Sequence, residues 1–289
     1  MKAPGILVKV NDTYMHVYSI SAPEAQRKDT IVLLSGSGTE CPTYDFKPLW
    51  LLLAEHYNIA VVERPGYGWS GYTKNPRDID TMLEETRAAL RQAEITEPFI
   101  PAAHSLSGLE AIYWKQKYPD EVSAIIGLDM AVPPAYDDMK LPVLFSLKVK
   151  LAHLMRKSIA GIMVKNHPAV KSNILDEDEQ AAMRYISAKQ LMSKNMMDEI
   201  KYVKGNAKKV AAGECPPVPL LCLLSSDKEI AKKIPVWGKI HRDYFAANSL
   251  AQFVDLPCGH YVHREEPKMI SEAILDFLSK TSCDIVNRV

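Results

Sequence analysis

A serine stands where the sequence passes from a strand-like run to a helix-like run. The apolar run 98–103 precedes Ser105, and residues 106–118 follow with a helical pattern. Small residues, Ala103 and Ser107, lie two positions away on either side. A tight strand-to-helix turn of this kind pushes its central side chain out at the top of a sheet. The helix that follows offers backbone N–H groups and the positive end of a dipole. Ser105 is therefore a candidate nucleophile.

The sequence also offers a base and an acid for this serine. A serine hydroxyl is a weak nucleophile until a base removes its proton. His260 is the preferred base because a glycine precedes it directly after the last strand-like run, and His263 is the alternative. An acid must then orient the imidazole and stabilise its charged form. Asp227 and Asp129 each follow a strand-like run and both qualify.

Two neighbouring patterns are weaker signals. The glycines within residues 66–71 match the spacing of a dinucleotide-binding turn, but turn-like residues follow where that site needs a helix to open. His260 and His263 with Glu265 suggest a metal site, but they lie on a predicted loop that offers no further ligand. We therefore expect neither a cofactor nor a metal.

The elements that must position these residues alternate along the chain. After an N-terminal hairpin around Asn11–Asp12, strand-like and helix-like runs follow one another, which indicates a mostly parallel sheet with helices on both faces. The strand-like runs are residues 6–10, 14–19, 30–34, 59–63, 98–103, 123–128, 218–224 and 251–256. Residues 132–214 contain no convincing buried strand. We therefore predict an α/β core formed by residues 1–131 and 215–289, with residues 132–214 inserted as a helical cap.

The joint order and spacing of these motifs resemble the α/β-hydrolase fold family. Residues 63–70, Glu-Arg-Pro-Gly-Tyr-Gly-Trp-Ser, resemble the family's acidic-Arg-x-Gly-x-Gly-x-Ser turn after the fourth strand. Residues 259–267 resemble the family's histidine loop. The matching motifs extend from Ser35 to Pro267, so the resemblance covers nearly the whole chain outside the predicted cap.

The resemblance implies a role for each candidate. The family order of nucleophile, acid and histidine is that of Ser105, Asp227 and His260. Asp227 is therefore the preferred acid of the triad. Asp129 is the alternative acid. It follows the predicted strand 123–128, and some members of the family place their acid after the corresponding strand.

The resemblance also implies an oxyanion hole. The turn after the third predicted strand is where the family places one donor, so the backbone N–H groups of Ser37 and Leu106 are the expected pair. The sequence departs from the family at two places. Ala103 and Ser107 replace the usual glycines of the serine turn, and both are small enough to preserve it. Ser35 stands where the family often has histidine.

The resemblance implies a serine hydrolase that cleaves an ester, thioester or similar acyl bond of a small, partly apolar substrate through an acyl-enzyme. The same triad would serve a proline-type aminopeptidase, a lactonase or a carbon–carbon bond hydrolase. A ligand receptor that kept the hydrolase fold is the alternative from another class.

Composition limits the remaining choices. The 289 residues include 47% apolar and 24% charged residues, which excludes disordered, collagen-like and disulfide-dense proteins. No apolar run approaches the roughly 18 residues of a transmembrane helix. Five widely spaced cysteines without a C-x-x-C pattern favour a reducing cytoplasm.

The charge is balanced overall but unevenly distributed. The 35 basic and 35 acidic side chains cancel, which argues against nucleic acid as the main partner. The predicted cap, however, holds 14 Lys and Arg against nine Asp and Glu, so its net charge is +5 and that of the remainder is −5. Two interpretations of this asymmetry are open. The charges belong to solvated helix faces, or the basic cap favours anionic substrates or an anionic surface.

Overall fold

Eight strands form one mostly parallel sheet in a computed structural model that describes residues 1–23, 29–137, 145–226 and 237–286. The strands are β1 (Ile6–Val10), β2 (Thr13–Ile20), β3 (Thr30–Leu34), β4 (Asn58–Glu63), β5 (Phe99–His104), β6 (Ile125–Leu128), β7 (Leu220–Ser225) and β8 (Ala251–Leu256). Their order in the sheet is β1-β2-β4-β3-β5-β6-β7-β8. Strand β2 is antiparallel to β1 and β4, and all the other neighbours are parallel. The predicted α/β class is confirmed.

Helices connect these strands. They are α1 (Pro42–Asp45), α2 (Lys47–Leu53), α3 (Ile79–Gln92), α4 (Ser107–Lys117), α5 (Phe145–Leu154), α6 (Arg156–Asn166), α7 (Pro168–Lys171), α8 (Glu177–Gln190), α9 (Lys194–Ala211), α10 (Trp237–Tyr244), α11 (Val262–Glu265) and α12 (Pro267–Val286). Helix α3 begins after Asp78, whose side chain accepts a hydrogen bond from Thr81 N and caps the first turn. Among the described residues, no helix combines the length and the apolar character needed to cross a bilayer.

The central strands β3 to β7 are buried on both faces, as their apolar sequences require. Every residue of β3 is buried, and alternate side chains enter different cores. Ile31 and Leu33 pack in the cluster that includes α2 and α12, whereas Val32 and Leu34 pack in the cluster that includes α3 and α4. The strand therefore needs apolar residues at consecutive positions.

The strand order places a crevice beside β3. The chain passes from β3 outward to β4 on one side, and it continues from β5 towards β8 on the other. In open α/β sheets, ligands bind outside the carboxyl ends of the strands at such a reversal. The loops that follow β3 and β5 begin at Ser35 and Ser105. The topology thus brings both predicted site segments to one crevice.

Between β6 and β7 the described residues form helices, α5 to α9, in the region predicted as the insertion. We call α5 to α9 the helical insertion. Helix α8 begins with a complete capping box formed by Asp176 and Glu179. Helix α9 packs against α4, so the insertion rests on the core. The division into a core of residues 1–131 and 215–289 and a cap of residues 132–214 stays a prediction.

Candidate active site

Ser105 lies in a sharp turn between β5 and α4. Its φ is +52°, a left-handed conformation that is uncommon for residues other than glycine. The turn is held by a hydrogen bond from Ala131 N to the Ser105 carbonyl, 2.7 Å, and the neighbouring backbone leaves little space. A Cβ added at Gly108 would lie 2.3 Å from the Ala131 carbonyl oxygen. Local strain of this kind concentrates at functional sites.

Ser107 stands in the serine turn at a position where the hydrolase pattern usually has glycine. The side chain is fully buried, and its hydroxyl donates to the Leu34 carbonyl, 2.7 Å, and to the His104 carbonyl, 2.8 Å. The hydroxyl thereby joins the end of β3 to the serine turn. A small polar residue therefore fits the position and ties two loops of the site together.

His260 lies between Ser105 and an acid. Its Nε2 is 2.9 Å from Ser105 Oγ, and its Nδ1 is 2.6 Å from Asp129 Oδ2. An ionised carboxylate only accepts hydrogen bonds, so Nδ1 carries the proton and Nε2 is left to accept from the serine hydroxyl. Three side chains placed in this way can serve as a nucleophile, a general base and an orienting acid.

Asp129 is held in its ionised form by its surroundings. The side chain is fully buried and accepts hydrogen bonds from Ser225 N, Ser225 Oγ and Trp237 Nε1, each within 2.8 Å. Burial alone would raise the pKa of this carboxyl. The hydrogen bond and the charge of His260, together with the bonds from Ser225, outweigh burial and lower the pKa of Asp129 below its usual value. The carboxylate is therefore charged at neutral pH.

Among the described residues, the carboxylate bound to His260 is that of Asp129, the alternative of the two acids that the sequence offers. Asp129 follows β6 directly and has a φ of +49°, which turns its side chain towards the adjacent strand end. Asp227, the acid that the family order favours, lies outside the described residues. Chain order did not separate the two, because both come between Ser105 and His260.

His263 occupies a second, separate histidine–carboxylate cluster. It is fully buried, and its Nε2 is 2.8 Å from Asp45 Oδ2. Asp45 also accepts from His167 Nε2, 2.9 Å, and pairs with Arg264. These contacts hold His263, the alternative base, in the core and away from the serine. No sequence pattern links Asp45 to residues more than 100 positions away.

The loop after β3 lies against Ser105, where an oxyanion hole would need it. A Cβ added at Gly36 would lie 2.8 Å from Ser105 Cβ and 2.8 Å from His104 Nδ1. Ser37 follows directly on this loop, and Leu106 begins the first turn of α4. The two predicted N–H donors therefore belong to backbone segments on either side of Ser105, and their joint use as an oxyanion hole stays a prediction.

His104 is a residue of the site that sequence analysis missed. It is buried, and its ring packs on those of His260 and His263 with centroids 4.7 Å apart in each case. Burial, with the charges of His263 and His260, holds the pKa of His104 well below its usual value, so the ring is neutral. Its Nε2–H donates to the His260 carbonyl at 3.0 Å. His104 thus supports the backbone that carries His260.

A cavity of about 160 Å³ lies between the core and the insertion. One wall is Thr39–Cys41, which follows the loop after β3, and another is Arg264, which follows the histidine loop. The insertion contributes residues of α6 to α8, among them Met163 and Met183. Burial raises the pKa of the cavity residue Glu40 to about 7.

The chain belongs to the alpha/beta hydrolase family, whose sequence model matches residues 31–273. It is 33% identical over 287 residues to the Bacillus subtilis protein YbdG, a match that covers 97% of this chain and 87% of the other.

Solved structures show the same fold. Epoxide hydrolase I of potato superposes with a TM-score of 0.73 at 20% identity, covering 95% of this chain and 98% of that one. The enol-lactonase of Burkholderia xenovorans superposes with a TM-score of 0.68 at 15% identity, covering 95% and 100%. At these identities the likeness concerns the fold, and the site must be argued from its own residues.

Proposed function

We propose that the protein is a serine hydrolase that cleaves an ester, thioester or similar acyl bond of a small, partly apolar substrate. One observation carries the proposal: His260 bridges Ser105 Oγ and Asp129 Oδ2 at 2.9 and 2.6 Å. The strained turn at Ser105 supports it, because the fold maintains an unfavourable conformation where the nucleophile is needed.

The reaction follows from this geometry. Ser105 Oγ attacks the acyl carbon while His260 Nε2 takes its proton. Asp129 keeps the proton of Nδ1 in place and stabilises the imidazolium. The N–H groups of Ser37 and Leu106 stabilise the negative oxygen of the tetrahedral intermediate. His260 then protonates the leaving group, and the acyl group stays on the serine.

Water completes the cycle. His260 removes a proton from a water molecule, which attacks the acyl-enzyme and releases the acid, and Ser105 recovers its proton. Apart from substrate and water, the proposed chemistry uses only groups of the chain. We propose that the helical insertion borders the acyl pocket, since its methionines line the cavity beside the loop after β3. Flexible thioethers suit an apolar site of irregular shape.

A fluorophosphonate probe tests the nucleophile. We expect the wild type to be labelled and Ser105→Ala to remain unlabelled, because the probe forms a covalent bond with an activated serine. Ser279→Ala is the matched control and should be labelled like the wild type, since Ser279 is exposed on α12 and its hydroxyl donates to the Asp276 carbonyl. An unlabelled wild type would favour the ligand receptor, and labelling of Ser105→Ala would exclude Ser105 as the nucleophile.

Turnover of a short activated ester tests the acid. Asp129→Asn keeps the size of the side chain but not its charge, and we expect kcat to fall by about 10⁴, as for loss of the acid in other serine triads. Asp255→Asn, at an exposed carboxylate of β8, is the control and keeps full activity. If Asp227→Asn loses turnover and Asp129→Asn keeps it, the acid is Asp227.

A further inference from the structure

The outer face of the helical insertion exposes large apolar side chains. Leu154 is 83% exposed and Ile162 is 63% exposed, and Leu151 and Met155 are also exposed. Met155 separates α5 from α6 and bonds to both, since Met155 N donates to the Leu151 carbonyl and Ile159 N to the Met155 carbonyl, each at 3.0 Å. Leu151 and Leu154, three positions apart, share one face of α5, while Met155 precedes α6 and Ile162 lies on it. We call these four exposed residues the apolar stripe.

This stripe lies opposite the face that holds α6 in the structure. Ala160 and Val164 are buried. Val164 packs with Ala182, Met183 and Ile186 of α8 in a separate apolar cluster. Helix α6 is therefore anchored by one face, and the apolar stripe on its other face is not needed for that packing. A stripe of this kind on an anchored helix is typical of an interaction surface.

The charge around the stripe has one sign. Residues 145–175 hold six Lys and Arg and no Asp or Glu. Lys157, Lys165 and Lys171 are exposed. The excess of basic residues in the insertion is thus concentrated in the segment that carries the stripe. The acidic residues of the insertion begin at Asp176, where α8 starts.

We propose that this face binds the surface of an anionic lipid bilayer. An amphipathic helix that combines exposed apolar residues with lysines enters the headgroup region of a membrane, where its cations meet anionic lipids. A second copy of the chain would bring two cationic faces together, which electrostatic repulsion disfavours. The face then lies flat on the membrane, with Leu154 and Ile162 in the interface and the lysines at the headgroups. This proposal does not depend on the proposed function.

Sedimentation with vesicles tests the proposal. The full chain is mixed with vesicles of phosphatidylcholine alone, or of phosphatidylcholine and phosphatidylglycerol in equal parts. We expect binding to the mixed vesicles only, with a partition coefficient that falls as salt is added. Ile162→Glu combined with Lys165→Glu should lower this partition coefficient at least about tenfold, because it removes one apolar contact and reverses one cation.

Met269→Glu combined with Lys268→Glu makes the same change of charge and polarity elsewhere and serves as the control. Both residues are exposed at the start of α12, and we expect wild-type binding. Circular dichroism and the thermal midpoint should match the wild type for both variants. The proposal fails if the wild type stays in the supernatant with mixed vesicles, or if the Ile162 and Lys165 variant sediments like the wild type. It also fails if that variant dissociates a dimer in sedimentation velocity, because the face would then belong to a second copy.

Discussion

Glu40 links burial to stability at a single side chain. It is 7% exposed, and burial raises the pKa of its carboxyl from 4.5 to about 7. Between these two values the folded chain holds a proton that the unfolded chain has lost, so stability falls as the pH rises through this window.

Replacing this carboxyl by an amide should therefore stabilise the protein at alkaline pH. We expect Glu40→Gln to unfold in urea with a free energy about 3 kcal/mol higher than that of the wild type at pH 8. The difference should vanish below pH 4.5, the usual pKa that Glu40 retains in the unfolded chain. Glu55→Gln, at an exposed position, should match the wild type at both pH values. Equal stability of Glu40→Gln and the wild type at pH 8 would mean that burial does not raise the pKa of Glu40.

The residues that sequence could assign are those with a distinctive local pattern. Ser105 and His260 stand in motifs whose neighbours constrain the backbone, so their proximity was predictable. The acid was not, because both Asp129 and Asp227 follow strands that end at the same edge of the sheet. In the structure the Asp129 carboxylate, which follows β6, reaches His260, and Asp227 lies outside the described residues. His104 gave no signal, since a histidine beside the serine is compatible with many environments.

The loop after β3 and the turn after β5 must approach closely for the proposed chemistry. Gly36 makes this approach, since a Cβ there would meet both Ser105 and His104 at 2.8 Å. We expect Gly36→Ala to separate the two elements and lower kcat for an activated ester by about 100-fold, of the order found on loss of one oxyanion donor. Gly161→Ala is the control, because nothing lies within 4 Å of the added methyl in α6 and its turnover should equal that of the wild type. Unchanged turnover of Gly36→Ala would show that this loop can shift without cost.

Strands were easier to predict than the packing of the insertion. The core strands are short apolar runs closed by glycine, proline or aspartate, which fixes their type and nearly their bounds. Helix α9 is different, because its buried residues include Asn195, Glu199 and Asn206, which a hydropathy pattern assigns to solvent. These side chains are buried because they bind backbone and side chains of the core, and such partners cannot be read from a local pattern.

Helix α9 joins the insertion to the core through buried polar contacts. Glu199 accepts from Arg64 Nε at 3.1 Å and from Tyr67 OH at 2.5 Å. Asn195 bonds the backbone of Thr73, and Asn206 accepts from Ile79 N. If the insertion separated from the core, these polar groups would lose their hydrogen-bond partners, which costs free energy. The insertion is therefore expected to unfold together with the core.

Calorimetry of variants at two neighbouring carboxylates, Glu199 and Asp198, tests whether the insertion and the core unfold together. Glu199→Ala leaves the Arg64 guanidinium buried without a main partner, which costs about 3–5 kcal/mol and lowers the midpoint by on the order of 10 °C in one transition. Asp198→Ala removes a carboxylate whose ion-pair partners among the described residues are the exposed Lys194 and Lys201, and its free energy of unfolding should stay within about 1 kcal/mol of that of the wild type. A second, earlier transition in Glu199→Ala with the main one unchanged would mean that the insertion is a separate folding unit. A single lowered transition requires that the contacts of α9 stabilise the whole molecule.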